Sequence, residues 1–541
     1  MSKRRIVMLQ IIIVFVLTLA GCSSNKEATS AAAVQEAVNK KDTALIYATP
    51  KDINDMNPHL YTGAMSAQGM VFESLVENTK DGIKPALAES WDISADHKEY
   101  TFHLRKNVTF HDGEPFNAKA VKQNLDAVQA NASKHAWIKF STKIVKSEAI
   151  DDSTFKLVLS EPYAPALLEL SMTRPYVFLS PKDFVNGSTK DGVSGYNGTG
   201  PYKLTAHKTN EYATFEANPS YWGGEPKIKK ITAKVLPSGE TTLLALQKGE
   251  INFVFTDDRG TDSIDVDAMN QLAASGNYQL VRSESMNTKM LVANSSKTDS
   301  AVSETAVREA IWYAIDRQSI SKNIFNSTET PANSLFSSNV NYANVELKQR
   351  GYDPEAAKNF LQQAGWTSES GTSVRMKNGK KMAISMYYDS NSPSQKTQAE
   401  FIQNSLKNIG IQLVIVGEDS TSIAKRRATG DYDLLFNQTW GLAYDPQSTI
   451  AAFTTESSYL YTTKGIAKAD ELYKKINEVT LSTDENSRTS LYADIMRIVH
   501  DEAVFIPLTN GRVTLVAPKN LKSISFKQTQ FELPFEQMHF E

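Results

Sequence analysis

The chain has 541 residues, 58 basic side chains against 61 acidic ones, and 41% hydrophobic and 22% charged residues. A mildly acidic balance without a basic run excludes a nucleic-acid partner, which needs a clustered positive face. The composition is that of a globular chain, and the roughly 500 residues beyond its leader exceed one hydrophobic core, so two or more lobes are expected.

Lys3, Arg4 and Arg5 precede an apolar run from Ile6 to Ala20, and the sequence continues Gly21-Cys22. A basic start, a short apolar stretch and small residues at a cut site predict a secretory leader over 1–21. The run is short for a bilayer span, which takes roughly 20 apolar residues. "LAGC" resembles a bacterial lipobox, and Cys22 is the single cysteine, so the chain has no disulfide and its thiol stands where a lipid anchor is attached. Residues 22–43 are small and polar, a tether expected to stay flexible. Removal of the leader leaves 55 basic residues against 61 acidic, a charge of −6. The expectation is a protein held outside the cytoplasmic membrane by its lipid.

After the tether, "ALIYATP" reads as a strand and "NDMNPHLY" as a turn. "YTFHLR" and "STFKLVLS" alternate as strands do, with a Gly-centred turn at "HDGEPF". "NAKAVKQNLDAVQAN" starts on Asn and repeats its apolar residues at helical spacing. "KIKKITAKVL" is a strand, and "GETTLLALQKGEINFVF" is a helix, a Gly stop and a strand. Extended segments follow over 279–296. Then come the helices "SETAVREAIWYAID" and "DPEAAKNFLQQAGW", and the strands "KMAISMYYD", "IQLVIVGED" and "YDLLFNQTW" spaced by helices. Arg317, just past the first of these helices, reads as solvated. "AVFIPLTNGRVTLVAP" returns to strand. Crossings near 285 and 505 divide the chain into lobe I (44–285), lobe II (286–505) and a C-terminal return to lobe I (506–541), with a ligand cleft and a hinge between the lobes.

Enzyme signatures are missing. The sequence has no G-x-S-x-G elbow, no Walker loop, no HExxH and no dinucleotide fingerprint. "GTGPYKL" lacks the Lys-Ser/Thr ending of a phosphate loop, and "HDG" at 111–113 sits in a hairpin turn. No catalytic function and no resident cofactor are expected. The eight His, at 59, 97, 103, 111, 135, 207, 500 and 539, include no HxH or HxxxH pair, so the sequence shows no cage for a bare transition metal.

"LAESWDISADHKEYTFHLRKNVTFHDGEPFNAKAV" (87–121) closely resembles the signature of the extracytoplasmic solute-binding proteins that serve peptide and nickel ABC importers. "GTGPYKL", "YWGGEPKIKKI", "VREAIWYAIDR" and "YDPEAAKNFLQQAGW" continue the likeness in order. "MNPHLY", "KHAW", "ELSMTRPYVFLSP", "DEAVFIPL", "ELPFEQM" and "QTWGLAYDPQS" look like the nickel and metallophore branch. "TDDRGTDS" and "FNQTWGLAYDPQSTIAAF" are most similar to the part of that branch that binds metal complexes of staphylopine. The resemblance implies an α/β, two-lobed, type II periplasmic-binding fold of the peptide/nickel class, with a subdivided N-terminal lobe and a hinge cleft. It also implies permease and ATPase partners, a monomer, and a ligand that is a nickel, cobalt, zinc or copper complex with an organic chelator. The single-nickel branch has a His beyond the "YDP" element. Here "STIAAFTTESSYLY" has none, which favours a metal whose coordination sphere the chelator has filled.

A chelate rich in carboxylates calls for arginines and aromatic walls, because a guanidinium fork matches a carboxylate. By the family motif Arg174 in "MTRPY" is the first pocket arginine; Arg427 or its neighbour Arg426, in the charge run "SIAKRRATGDYD" that otherwise reads as a solvated helix face, is the candidate second. Trp137 in "KHAW" fits a wall, with His135 beside it. Tyr61 and Met65 match the family's first pocket loop. Trp440 and Tyr444 offer ring faces, Asn437 a donor, and Asp445 and Pro446 a turn. No direct metal ligand is expected. An oligopeptide receptor, a receptor for nickel with a small chelator such as histidine, and a surface adhesin or signalling receptor are the competing readings.

Overall fold

The computed structural model describes residues 44–255, 264, 266–368, 371, 373–443, 446–455 and 457–541. The leader, Cys22, the tether and "TDDRGTDS" lie outside the described residues, as do Tyr444 and Asp445 of the candidate site. Among the described residues no helix is long and apolar enough to cross a membrane.

One mixed sheet runs through both lobes. Its order is Tyr202–Lys208, Tyr212–Ala217, Lys230–Val235, Ala44–Thr49, Phe253–Phe255, Phe505–Pro518, Tyr278–Ala293, Leu434–Gln438, Ala383–Asp389, Gln412–Glu418. The two long strands, Tyr278–Ala293 and Phe505–Pro518, pair antiparallel and carry the chain from lobe to lobe. Tyr278–Arg282 lie opposite Thr514–Pro518 in lobe I, and Met290–Val292 opposite Phe505–Pro507 in lobe II. Between these regular ladders the register shifts repeatedly, around Ser285 and Asn287, opposite Arg512 and Gly511. Side chains bridge the interrupted stretch: Val513 N–H donates to Ser283 Oγ at 2.9 Å, and Thr288 Oγ1 to Asn510 Oδ1 at 3.1 Å. Gly511 permits this crowding, since a Cβ there would stand 2.3 Å from Asn287 Oδ1. Phe505, Ile506 and Leu508 at the start of the return strand pack in the lobe II cores.

The sequence signals account for most elements. The helix Ala118–Ala130 starts where Asn117 Oδ1 accepts from the amides of Lys119 and Ala120. Pro354–Gln363 opens on Asp353 with Pro at its first position, and Gly365 beyond its end takes φ +85°. Lobe I is divided in two. A four-stranded antiparallel sheet (Ala88–Ile93, Glu99–Leu104, Thr154–Leu159, Ile144–Ala149) packs with the Ala118–Ala130 helix around Phe102, Phe155 and Leu125. A second core around Tyr47, Phe215, Phe253 and Phe535 lies on the large sheet. Lobe II holds its own cores around Trp312 and Ile402, and around Phe453 and Tyr492.

Arg317 is a correction to the sequence reading. It is 5% exposed, and its guanidinium donates to the carbonyls of Trp312, at 3.2 Å, and Arg350. Those acceptors come from a helix end and a distant loop, so local charge patterning could not reveal them. "GTGPYKL" is Gly-rich for packing: Gly200 N–H donates to Val71 O at 2.9 Å, and a Cβ on Gly198 would stand 2.0 Å from the same oxygen.

Candidate functional site

The loop after the short helix Pro58–Leu60 builds the lobe I side. Asn57 Oδ1 accepts from His59 N, Tyr61 takes φ +59° and Gly63 φ +82°, where a Cβ would meet Asp55 O at 2.7 Å. Gln68 Nε2 braces the loop by donating to Met56 O and Thr62 O at 3.1 and 3.0 Å. The carbonyls of Tyr61, Thr62 and Gly63 turn toward Arg174, whose Nη1 donates to them at 3.5, 3.4 and 3.3 Å. Its guanidinium carbon also lies 4.5 Å from the Tyr61 ring centroid. Arg174 is only 6% exposed, so these carbonyls and the tyrosine face lie against a guanidinium nearly withdrawn from water.

Aromatic rings continue from there. Tyr61 meets His135 edge-on at 5.4 Å and Trp137 at 6.0 Å, and Trp137 meets Trp440 of lobe II at 5.2 Å with 32° between planes. Trp440 packs against cores of both lobes, so the cleft is shut at this point. His135 is buried, and its Nε2 lies 2.8 Å from His59 O, which fixes the proton on that nitrogen. Burial, with Arg174 adding to it, holds its pKa below the ordinary imidazole value. Met65 opens the helix Met65–Val71 and sits in the lobe I core on which Trp137 and Trp440 rest.

Trp440 follows the strand Leu434–Gln438. Thr439 clamps the loop to the first crossing strand: its N–H donates to Thr288 O at 3.0 Å, and its Oγ1 accepts from Thr288 N at 3.0 Å. Gly441 takes φ +104°, and Ala443 N–H donates across the lobes to Gln528 O at 3.0 Å. Asn437 Nδ2 donates to Ser458 Oγ at 3.0 Å, and its Oδ1 accepts from Gln438 N.

The two adjacent arginines separate. Arg426 pairs with Glu418 at 2.6 Å and Asp431 at 2.8 Å, and covers Tyr387 at 3.7 Å. Arg427 donates from Nη2 to Phe436 O at 3.0 Å, on the strand that leads into the Trp440 loop. Burial lowers its pKa, partly opposed by Tyr459, Tyr432 and Asp389, while its Nε meets no partner among the described residues.

Among the described residues no three His, Cys, Asp or Glu side chains come together as a metal site. His103 pairs with Asp92, His207 with Asp52, His111 with Gly200 O, and His500 with Arg350. His111 and Asp112 of the "HDG" turn point to different partners, the latter accepting from Ser180 Oγ. Phe531, Gln528 and Glu532 of the C-terminal return also reach this region. Only "ELPFEQM" pointed that way in the sequence.

Two lobes on a doubled crossing, with an arginine and an aromatic wall where they meet, define a cleft-type ligand-binding protein. The model for bacterial extracellular solute-binding proteins, family 5 (middle region), matches residues 82–460, and the chain belongs to this family. It is 36% identical over 494 residues to the nickel-binding periplasmic protein of Escherichia coli K12, covering 91% of this chain and 93% of that protein. The crystal structure of NikA from Brucella suis in complex with Fe(III)-EDTA superposes with a TM-score of 0.89 at 36% identity, covering 92% of this chain and all of that one. The E. coli dipeptide-binding protein is 26% identical over 527 residues, covering 91% of this chain and 94% of that one. The chain is an extracytoplasmic solute-binding component of an ABC importer, working with permease and ATPase subunits.

Proposed function

We propose that this protein captures a transition metal already enclosed in a carboxylate-rich organic chelator, closes its lobes over the complex and delivers it to the permease. The observation that carries the reading is the wall where the lobes meet: the Tyr61, Trp137 and Trp440 rings come together from both lobes over Arg174, a guanidinium only 6% exposed. A guanidinium fork matches a ligand carboxylate, and the rings cover the apolar side of a chelate. In this reading Arg427 supplies the second cation from lobe II, and Trp440, Tyr444 and Asn437 contribute further ligand contacts. His135 acts through the Tyr61 loop, and Met65 as the floor under the tryptophans. The chelator in this reading is an opine-type metallophore of the staphylopine kind carrying nickel, cobalt or zinc, and the protein is a lipid-anchored monomer held through Cys22. The likeness to the E. coli nickel-binding protein and to NikA with Fe(III)-EDTA supports metal-chelate capture over peptide capture. Calorimetric titration of metal-stripped protein, with nickel alone and with a preformed nickel chelate, tests the reading.

A further inference from the structure

The C-terminal return touches the Trp440 loop, the crossing strand and the segment that carries Arg174. Gln528 O accepts from Ala443 N of the Trp440 loop, and Gln530 Oε1 accepts from Asn287 Nδ2 at 2.8 Å, in the interrupted stretch between the lobes. Glu532 is 5% exposed and reaches the residue beside Arg174. Its Oε1 accepts from the hydroxyl of Thr173, the neighbour of Arg174, at 2.6 Å. Its other oxygen rests on Gly69, where a Cβ would stand 2.4 Å from Oε2. The helix Met65–Val71, which carries Gly69, begins directly after the loop whose carbonyls hold Arg174. The carboxylate is therefore packed between the two segments that fix the guanidinium. Burial raises its pKa, while Lys527, Thr173 and Arg174 favour its charged form and Glu77 opposes it. Lys527 in turn faces Glu532, Glu536, Glu77 and Glu73.

We propose that Glu532 is a positioning residue that acts through Arg174 to set which ligand charge the cleft prefers, by offsetting part of the guanidinium's attraction for anions. The inference rests on the chelate reading above. A second negative charge on a chelate gains attraction from Arg174 but also meets Glu532, so wild type should favour the more anionic of two chelates of equal shape less than a variant neutral at 532 does. Removing a unit charge at a separation on the order of 10 Å, in a dielectric between protein surface and water, changes that discrimination by about three- to tenfold.

The test uses the full chain and two octahedral probes, Co(III)–EDTA with one net negative charge and Ni(II)–EDTA with two. Glu532→Gln keeps the acceptor for Thr173 and the fit over Gly69. It should lower the ratio Kd(Ni–EDTA)/Kd(Co–EDTA) by about three- to tenfold. Glu532→Met, also neutral, should shift the ratio in the same direction and serves if the Gln variant does not fold. Glu532→Asp keeps the charge and should keep the wild-type ratio, whatever it does to both affinities. Chelates that bind with one ratio in wild type and both neutral variants overturn the proposal, because a purely packing role weakens both probes alike. Wild type that binds neither probe overturns the chelate reading, and the proposal with it.

Discussion

Replacing Arg174 by Ala is the sharpest test of the site's chemistry. Its contacts with the carbonyls of Tyr61, Thr62 and Gly63, at 3.3 to 3.5 Å, are longer than the usual N–H···O range of about 2.7–3.2 Å, so each is weak. The cation–π contact with Tyr61 adds about 0.5–2 kcal/mol. A ligand carboxylate, by contrast, loses a charge-assisted partner in a buried setting, which costs about 1.5–3 kcal/mol. Arg174→Ala should therefore weaken binding of Ni(II)–EDTA by about 10- to 150-fold in calorimetry. Arg497→Ala, at a side chain 52% exposed on a lobe II helix, is the control and should leave affinity unchanged. Affinity of the Arg174 variant within twofold of wild type would refute the reasoning and remove Arg174 from the pocket.

Arg427→Ala should weaken chelate binding at least fivefold, whereas Arg426→Ala should break the Glu418 and Asp431 pairs and leave affinity within twofold. The reverse order, read in the same titration, would exchange their roles. Trp440→Ala should cost about 1–3 kcal/mol of chelate affinity, the scale of an anchoring aromatic; a large drop in the empty protein's melting temperature with unchanged affinity would make Trp440 a core residue only. Acid should destabilise the fold below about pH 4.5, seen as a falling melting temperature. Burial and then His135 push His59 down to about 3, and burial, with Lys203 beside it, pushes His111 down to about 4. Both stay neutral in the fold while the unfolded chain binds their protons, so their contribution is complete above about 6.5 and is lost as pH falls toward the folded values. From about 4.5 to 7 the raised carboxyls of Glu73 and Glu169, each lifted to about 7 by burial, act with the opposite sign and flatten the curve. A melting temperature that rises on acidification from pH 4.5 to 3.5 would contradict this.

Local chemistry made much of the fold legible. Asn117 and Asp353-Pro354 announce their helices because an N-cap is a contact within three residues, and the strand alternation at Glu99–Leu104 reflects one buried face. Arg174 and Trp137 were reachable through the family motif, but the carbonyl cradle from Tyr61, Thr62 and Gly63 depends on a left-handed loop more than a hundred residues away. Arg426 and Arg427 are neighbours on one helix, and only tertiary partners tell them apart: Glu418 and Asp431 for one, Phe436 O for the other. Arg317 was misread for the same reason. The coupling of Thr173 to Glu532 spans 359 positions and leaves no local pattern at all.

The most direct measurement titrates metal-stripped protein with free nickel and, separately, with a nickel chelate formed beforehand. The account predicts tight one-to-one binding of the chelate and no more than weak, submillimolar-or-worse binding of the bare ion. Micromolar or tighter one-to-one binding of free nickel, unimproved by the chelator, would contradict it.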